Sequence, residues 1–289
     1  MPAYQKKNTK RQTGGKNIPA ERKKITPVAK PKQVRSEPKK EEPEFNSAYD
    51  KVIGRNPVKE ALRSGRNINK LLVAQGETDH TIITIINMAK ERNVFVQMTD
   101  RRKLDMMTES GRHQGVVALC SPIVFSEVDE LLQTAADAGE KPFLVMLDEI
   151  TDPHNAGAII RSAYCAGAHG VILSKRRSAS ISEGVYKASA GSVEYIKIAQ
   201  VANLAQTIES LKKQGIFAVC CDMEGDAYYD LDYDMPLLVV VGSEGEGIGR
   251  LIKSKCDFSA KIPMKGKLDS LNASVAAGIV LFEAAKQRG

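Results

Sequence analysis

The chain has 289 residues, of which 42% are hydrophobic, and its formal net charge is +7. This length is enough for two ordinary domains with buried cores. No segment approaches the ~20 consecutive apolar residues of a membrane-spanning helix, and no apolar stretch follows the first lysines as it would in a signal peptide. These features argue against an integral membrane protein and predict a cytoplasmic location.

The positive charge is concentrated at the N-terminus. Residues 1–45 contain 13 Lys and Arg against 5 Asp and Glu, a net of +8, together with 6 of the 12 prolines. Such a segment buries too little apolar surface to offset its chain entropy, so we predict a disordered basic tail over residues 1–48. Two roles fit this composition: a solubilising linker, or an arm that neutralises nucleic-acid phosphates.

Residues 49–126, called the N-terminal block below, alternate short helical and strand patterns and predict a small α/β domain. The predicted elements are a helix at 58–64, a strand at 70–74, a helix at 81–92, a strand at 94–98, a helix at 103–109 and a strand at 116–120. Residues 127–142 are predicted to form a linker, with a helix at 127–138 and a hinge at 139–142.

Residues 143–289, called the C-terminal block, continue the alternation with stronger apolar runs. Strands are predicted at 143–147, 170–174, 193–198, 216–221, 237–241 and 258–262. Helices are predicted at 156–168, 182–190, 204–214, 248–254 and 271–287. Alternation of this kind predicts an α/β fold with a mostly parallel sheet that is covered by helices on both faces.

No metal site is predicted from the cysteines and histidines. Their spacing matches no paired metal-ligand pattern, and most of the cysteines lie inside apolar runs. We interpret the cysteines as buried, reduced thiols. They are Cys120, Cys165, Cys220, Cys221 and Cys256, and the histidines are His80, His113, His154 and His169.

A glycine-rich segment at residues 242–249 follows the most apolar predicted strand and precedes a helix. Such a loop lets backbone N–H groups approach a ligand closely. Its spacing is not that of a dinucleotide fingerprint, because Arg250 stands where the third glycine would be, and it is not a P-loop, because the Gly-Lys-Ser/Thr sequence is missing. On its own it could equally be a simple tight turn.

Polar residues also mark the start of two predicted helices. Asn155 could be a helix N-cap or a site residue, and Ser270 or Asp269 could likewise cap the last helix. Arg161 is harder to explain structurally, because its helical neighbours are mostly small and a long cation among them needs an anionic partner or ligand. Three such junctions in one α/β domain predict a single site at one edge of the sheet.

Together these segments resemble the three motifs of the SpoU (TrmH) family of RNA ribose methyltransferases, at residues 152–163, 239–250 and 262–280. The likeness covers the whole C-terminal block. It implies a trefoil knot in the sheet, S-adenosylmethionine bound in the knotted loops, RNA as partner and a homodimer. The N-terminal block is similar to the substrate-binding module of L30e-like fold found in some members, through residues 53–58 and 111–116.

The resemblance also implies roles for individual residues. Arg161 would contact the RNA phosphate beside the target ribose; an arginine is effectively always protonated, so we expect it to orient the phosphate rather than act as a base. Asn155 and Asn272 would orient Arg161 and the ribose. Ser270 would lie near the methyl donor, and Glu244 would fix the arginine or the glycine-rich loop. The cofactor contacts implied by the family's pattern are main-chain groups of Gly242, Ile262 and Leu271.

The predicted reaction is therefore S-adenosylmethionine-dependent 2′-O-methylation of RNA. Within the family, the chain is similar to enzymes that modify a guanosine of 23S rRNA. One alternative is the same reaction on tRNA, although the tRNA enzymes of this family typically lack the N-terminal module. The other is an RNA-binding ribosome assembly factor without catalysis, against which the complete set of motif residues weighs.

Overall fold

The computed structural model describes residues 49–108, 111–267 and 270–289. The basic tail predicted at residues 1–48 and the capping candidate Asp269 lie outside these ranges. All described residues belong to one compact unit, so the two blocks are in contact with each other.

The N-terminal block contains a four-stranded sheet with the order β1-β4-β2-β3. Strands β2 and β3 are parallel, whereas β4 runs antiparallel to both β1 and β2. The first strand was not predicted, because four residues after a polar tail carry no clear periodicity. The strands are β1 (Asp50–Ile53), β2 (Ile68–Ala74), β3 (Val96–Thr99) and β4 (Val116–Cys120), and the helices are α1 (Arg55–Arg63), α2 (His80–Glu91) and α3 (Arg101–Met107).

The C-terminal block is built on a six-stranded sheet with the order β10-β8-β9-β5-β6-β7, in which every neighbouring pair is parallel. The predicted α/β class is confirmed. The strands are β5 (Phe143–Leu147), β6 (Gly170–Ser174), β7 (Lys197–Val201), β8 (Phe217–Ala227), β9 (Leu237–Val241) and β10 (Phe258–Lys261). Helix α4 (Val128–Ala138) lies in the predicted linker, and the helices of the C-terminal block are α5 (Pro153–Cys165), α6 (Glu183–Ala188), α7 (Leu204–Lys213), α8 (Arg250–Lys253) and α9 (Ala273–Arg288).

Both faces of the large sheet are buried. In β5, Phe143, Val145 and Leu147 belong to the cluster that includes α5 and α9, whereas Leu144 and Met146 belong to the cluster that includes α7. Successive side chains of a strand point to opposite faces, so continuous apolar runs are needed when both faces are covered. This explains why β5 and β9 read as uninterrupted hydrophobic segments.

The boundaries of one helix and two strands in the C-terminal block are wrong by three residues or more; the helix predicted at residues 156–168 runs from Pro153 to Cys165. The strand predicted at residues 193–198 begins only at Lys197, because Ser192–Glu194 forms a 3-10 turn after Gly191, whose φ is +90°. Strand β8 continues to Ala227, six residues beyond its predicted end, because β10 pairs with it across a register shift at Ser259/Ala260. A polar run such as residues 222–226 predicts no strand unless its partner is known.

In the described part of the chain, no helix is long and apolar enough to cross a membrane. The five cysteines lie in the described ranges and form no disulfide. Their predicted burial is confirmed for Cys120 and Cys220, whereas Cys221 and Cys256 are half-buried and Cys165, near the end of α5, is exposed. This cysteine follows an apolar run in sequence, but the helix turns it away from the core.

Candidate active site

The three motif segments lie at one edge of the large sheet. The segments at residues 148–153 and 242–249, and the described residues 262–267 and 270–272, follow β5, β9 and β10, and these strands all run in the same direction. Because the carboxyl ends of parallel strands meet at the same edge, the fold brings together segments that are more than 100 residues apart in sequence.

The glycine-rich loop after β9 is closed by its own backbone. The N–H groups of Ser243 and Gly247 each donate to the other residue's carbonyl oxygen at 3.0 Å. At Gly242 a Cβ atom would lie 2.3 Å from the carbonyl carbon of Gly247, so only glycine fits there. Beyond the loop, the buried Asp148 accepts a hydrogen bond from the Gly249 N–H at 2.9 Å, which ties the loop to the end of β5. Burial raises the pKa of the Asp148 carboxyl.

Asn155, Glu244 and Asn272 form a hydrogen-bonded cluster that joins all three segments. The Asn272 side-chain amide donates to Asn155 Oδ1 at 2.9 Å and to Glu244 Oε2 at 3.1 Å. Asn155 Nδ2 donates to the same Glu244 oxygen at 3.3 Å. Glu244 therefore fixes the two asparagines, and not the arginine that was its predicted alternative partner.

Helices α5 and α9 are capped by Asp152 and Asn272, and not by the predicted candidates Asn155 and Ser270. Asp152 caps α5 and accepts from the N–H groups of His154 and Asn155, so Asn155 is not the N-cap. Asn272 caps α9 through Oδ1, which leaves Ser270 without a capping role. Asparagine and aspartate suit these positions because their short side chains accept hydrogen bonds from the first free N–H groups of a helix. The Asn155 side chain is thereby left free for the cluster.

Arg161 lies on α5, six residues after Asn155, which corresponds to about 9 Å along the helix axis. Its side chain is exposed and makes no hydrogen bond or ion pair with any other described residue. One turn further, Tyr164 stacks on Tyr195 with ring centroids 5.6 Å apart. The structure therefore places Arg161 on the same helix as the cluster but outside its hydrogen bonds, with its guanidinium available to an external anion.

A cavity of about 780 Å³ opens between the second and third motif segments. The three residues predicted to contact the cofactor, Gly242, Ile262 and Leu271, all line it, and so do Glu244 and Ser270. Asn155, Asn272 and Arg161 do not line it; the two asparagines reach it only through Glu244. One wall, formed by residues 221–224 at the extended end of β8, was not predicted from the sequence.

The missed wall is held by an ion pair. Lys253 Nζ lies 2.9 Å from Asp222 Oδ1 and 3.0 Å from Glu224 Oε2, so one ammonium from α8 fixes two carboxylates of β8. These contacts raise the pKa of the Lys253 ammonium. The only sequence signal for this wall was a run of acidic residues directly after a buried strand.

The cavity fits S-adenosylmethionine. Its volume lies within the ~300–1,000 Å³ that is usual for ligand pockets, and its wall includes a glycine at which a side chain would be excluded by backbone atoms. The lining contains four carboxylates, from Asp222, Glu224, Glu244 and Glu246, and one lysine, Lys261. An acidic lining suits a ligand that carries a sulfonium. In the described residues, no group of three or more His, Cys, Asp or Glu could hold a metal ion.

In the N-terminal block, the structure brings the two segments singled out by resemblance into contact. The Arg55 backbone N–H donates to Gln114 Oε1 at 2.9 Å, and Arg55 Nε donates to the Gln114 carbonyl oxygen at 3.1 Å. Both segments lie at the sheet edge where β1 ends and β4 begins. Gln114 has φ of 52°, which a non-glycine residue adopts only at some cost.

Comparison with known families supports both halves of this description. Residues 142–282 match the model of the SpoU rRNA methylase family. Residues 51–125 match a model described as RNA 2′-O ribose methyltransferase substrate binding.

Full-length relatives and solved structures agree. A TrmH family tRNA/rRNA methyltransferase, YacO of Bacillus subtilis, is 44% identical over 245 residues, which are 84% of this chain and 98% of YacO. The AdoMet complex of the SpoU methyltransferase AviRb from Streptomyces viridochromogenes has a TM-score of 0.70 at 26% identity and covers 83% of this chain and 91% of AviRb. An AdoMet-bound rRNA methyltransferase from Sinorhizobium meliloti has a TM-score of 0.69 at 28% identity, covering 83% and 87%. The chain therefore belongs to the SpoU (TrmH) family and is an S-adenosylmethionine-dependent RNA methyltransferase.

Proposed function

We propose that the protein methylates the 2′-hydroxyl of a guanosine ribose in large-subunit rRNA. This is the reaction of RlmB, a member of the family that the chain resembles in its order of domains and motifs. The observation that carries the proposal is the Asn155–Glu244–Asn272 cluster at the wall of the cofactor cavity. When bound, S-adenosylmethionine supplies an activated methyl group. The protein then has to orient the ribose and assist the loss of its hydroxyl proton.

The cluster suits an orienting role. Glu244 Oε2 accepts from both asparagines, which holds the amides in one orientation at the end of the cofactor loop. Amide groups fixed in this way can position a ribose hydroxyl without reorganisation during the reaction. Ser270, exposed on the cavity wall, would hydrogen-bond near the donor, and main-chain groups of Gly242, Ile262 and Leu271 would hold the cofactor.

Arg161 would bind the phosphate next to the target ribose. A guanidinium presents several N–H donors in a planar fork that matches a phosphate, and this one has no internal partner among the described residues. From this position it would also stabilise the alkoxide that emerges as the proton leaves. Its permanent protonation argues against a role as the general base.

The choice of rRNA over tRNA rests on the N-terminal block. One of the solved relatives that cover 83% of this chain, and so include most of that block, is described as an rRNA methyltransferase. YacO is described by both substrates, so tRNA is the alternative substrate. An rRNA substrate would also place the enzyme in the cytoplasm, and the basic residues 1–48 would add charge for phosphate binding.

We further propose that the protein acts as a homodimer through α5 and α9. The first ten residues of α9 carry no charge, and Val275 and Phe282 are each 50% exposed on the side away from the core. A helix that is apolar on all sides is normally covered on all sides. Tyr164, 43% exposed on the neighbouring α5, extends this apolar surface. A second copy that covers it would lie close to Arg161.

The proposal can be tested by methyl transfer from labelled S-adenosylmethionine to unmodified 23S rRNA and to tRNA, followed by mapping of 2′-O-methyl positions. We expect one modified guanosine in 23S rRNA. Arg161→Ala should abolish transfer while cofactor affinity, measured by calorimetry, stays unchanged. Arg161→Lys should also be strongly impaired, because a point charge cannot replace the planar fork.

Lys213→Ala, which removes an exposed cation from α7 on the opposite face of the sheet, is the matched control and should keep full activity. Methylation confined to tRNA would replace the proposed substrate by its alternative. Cofactor binding without transfer to either RNA would favour the assembly-factor function.

A further inference from the structure

The two blocks are joined by a buried ionic cluster centred on Arg66. Arg66 Nη2 donates to Asp50 Oδ2 at 2.6 Å and to the Ser121 carbonyl oxygen at 2.9 Å, both within the N-terminal block. Arg66 Nη1 donates to Glu194 Oε1 at 2.7 Å and to the Tyr186 hydroxyl, both in the C-terminal block. The guanidinium also lies over the Tyr186 ring, 5.0 Å from its centroid.

This cluster differs from the surface ion pairs of the chain because three of its four side chains are almost fully buried, and Asp50 is 26% exposed. The side chains of Arg66 and Glu194 are only 8% and 5% exposed, and Tyr186 is 1% exposed. Removing one member of a buried pair leaves an uncompensated charge, so separating the blocks at this point would be strongly unfavourable. Exposed pairs, in contrast, contribute little.

The last residues of the N-terminal block, 121–126, are held by hydrogen bonds to both blocks. The Ser121 carbonyl is held by Arg66, and the Ile123 N–H donates to Asp50 Oδ2 at 2.8 Å. The Ser126 N–H donates to the Ile198 carbonyl oxygen at 2.8 Å, and Ser126 forms a bridge with Ala199 of β7. Helix α4 extends this attachment, because its Leu131 side chain occupies the space directly beside Gly170 of β6. A flexible tether would show none of these contacts.

A second contact leads from the N-terminal block towards the active site. The Tyr195 hydroxyl donates to Glu60 Oε2 of α1 at 2.7 Å, and its ring stacks on Tyr164 of α5. Gly191 lies so close to α1 that a Cβ there would be 2.7 Å from the Glu60 Cβ. The N-terminal block therefore rests on the same α6 and Ser192–Glu194 region that packs against α5, the helix of Arg161.

We infer that the N-terminal block is a fixed RNA guide and that Arg66 is its positioning residue. The inference rests on the proposed function, since the guided ligand is the RNA substrate. A block held in one orientation delivers bound RNA to Arg161 at one set distance and loses no orientational freedom on binding. The enzyme would accordingly select a folded RNA in which the contacted element and the target ribose have a matching spacing, rather than a short single strand.

The test uses the full chain and two independent readouts. The first is hydrogen exchange without RNA: the amides of Ile123 and Ser126 should be protected in the wild type, and Ile123 should lose protection in Arg66→Ala. The second is steady-state kinetics with 23S rRNA transcribed in vitro. We expect the KM of Arg66→Ala for RNA to rise about tenfold through lost preorganisation, with kcat within about twofold and cofactor affinity unchanged.

Arg66→Lys should resemble the alanine variant, because one ammonium cannot contact four acceptors on two blocks. Arg101→Ala is the matched control, since it removes an exposed arginine of α3 whose ion pair with Glu77 lies within the N-terminal block. If Arg66→Ala does not fold, Tyr195→Phe removes only the hydroxyl bond to Glu60, and its KM should rise about threefold.

Unprotected Ile123 and Ser126 amides in the wild type would overturn the fixed orientation. Loss of protection in Arg66→Ala with an unchanged KM, or a loss confined to kcat, would overturn the positioning role. If the wild type transfers methyl groups to no rRNA, the proposed function fails, and the exchange data alone then decide whether the block is fixed.

Discussion

Asn272 combines two tasks that can be separated by mutation. Its Oδ1 caps α9 by accepting from the N–H groups of Ser274 and Val275, while its Nδ2 donates to Asn155 and Glu244. Asn272→Ala removes both functions. Losing an N-cap costs about 1 kcal/mol, and losing two half-exposed hydrogen bonds costs about another 1 kcal/mol. For a domain of this size, a total of about 2 kcal/mol lowers the Tm by about 4–8 °C.

Asn272→Asp separates the two tasks. Aspartate is as good an N-cap as asparagine, so the capping contribution is retained. It has no amide donor, and it places a second carboxylate beside Glu244. We expect a loss of only about 1 kcal/mol in stability, or about 2–4 °C in Tm, but a fall in kcat of about 100-fold, because small displacements of orienting groups have effects of this size.

The assay is calorimetric unfolding combined with methyl-transfer kinetics at saturating cofactor. Ser274→Ala is the control: it removes the hydroxyl that donates to Asn272 Oδ1 at 2.6 Å but leaves the backbone caps and the cluster in place. Its turnover should stay within about threefold of the wild type. Wild-type turnover in Asn272→Asp would refute the orienting role of the cluster, and equal Tm losses in the two Asn272 variants would refute the division into cap and cluster.

Two further predictions concern the glycine-rich loop and the pH dependence of stability. Gly242→Ala should weaken S-adenosylmethionine binding at least tenfold by calorimetry, because its Cβ would lie 2.4 Å from the Ile248 nitrogen. Gly245→Ala is the control and should bind normally, because its Cβ would have no atom within 4 Å. Equal affinity in the two variants would contradict the packing argument. Burial lowers the pKa of His169 below its ordinary 6.5 despite the opposing Glu140, so its contribution to stability is present above pH 6.5 and is lost as the pH falls through the folded-state pKa. The Tm should therefore fall on acidification below pH 6.5. His169→Asn, whose side chain can still accept from the Phe143 N–H, should reduce the slope of Tm against pH. An unchanged slope would exclude His169 as its source.

The sequence predicted best those elements whose environment is uniform. The bounds of β4, β5, β6 and β9 agree with the apolar runs, because every residue of these strands is buried except Ser174 at the end of β6. A strand covered on both faces needs no information about its neighbours to be recognised. Elements that depend on a distant partner were misjudged. The second half of β8 is polar and exists only because β10 pairs with it.

The same distinction applies to the site. The motif positions could be named from the sequence, but the contacts among them could not. Glu244 is 89 residues from Asn155, and they meet because β9 lies next to β5 in the sheet. Strand order is a property of the whole fold, so a sequence pattern could indicate Glu244 as a site residue without deciding whether its partner is an arginine or an amide.

The site residues also differ in how they are held. Glu244, Asn155 and Asn272 are fixed to one another and to the start of α9, so the cofactor side of the site is already organised within one chain. Arg161 has no comparable support and faces solvent beside the apolar surface of α5 and α9. Preorganised groups serve best where the ligand always binds in the same way, and a flexible cation serves best where the ligand supplies the geometry. Binding of the methyl donor should therefore leave this cluster unchanged, whereas ordering of Arg161 should await the RNA phosphate.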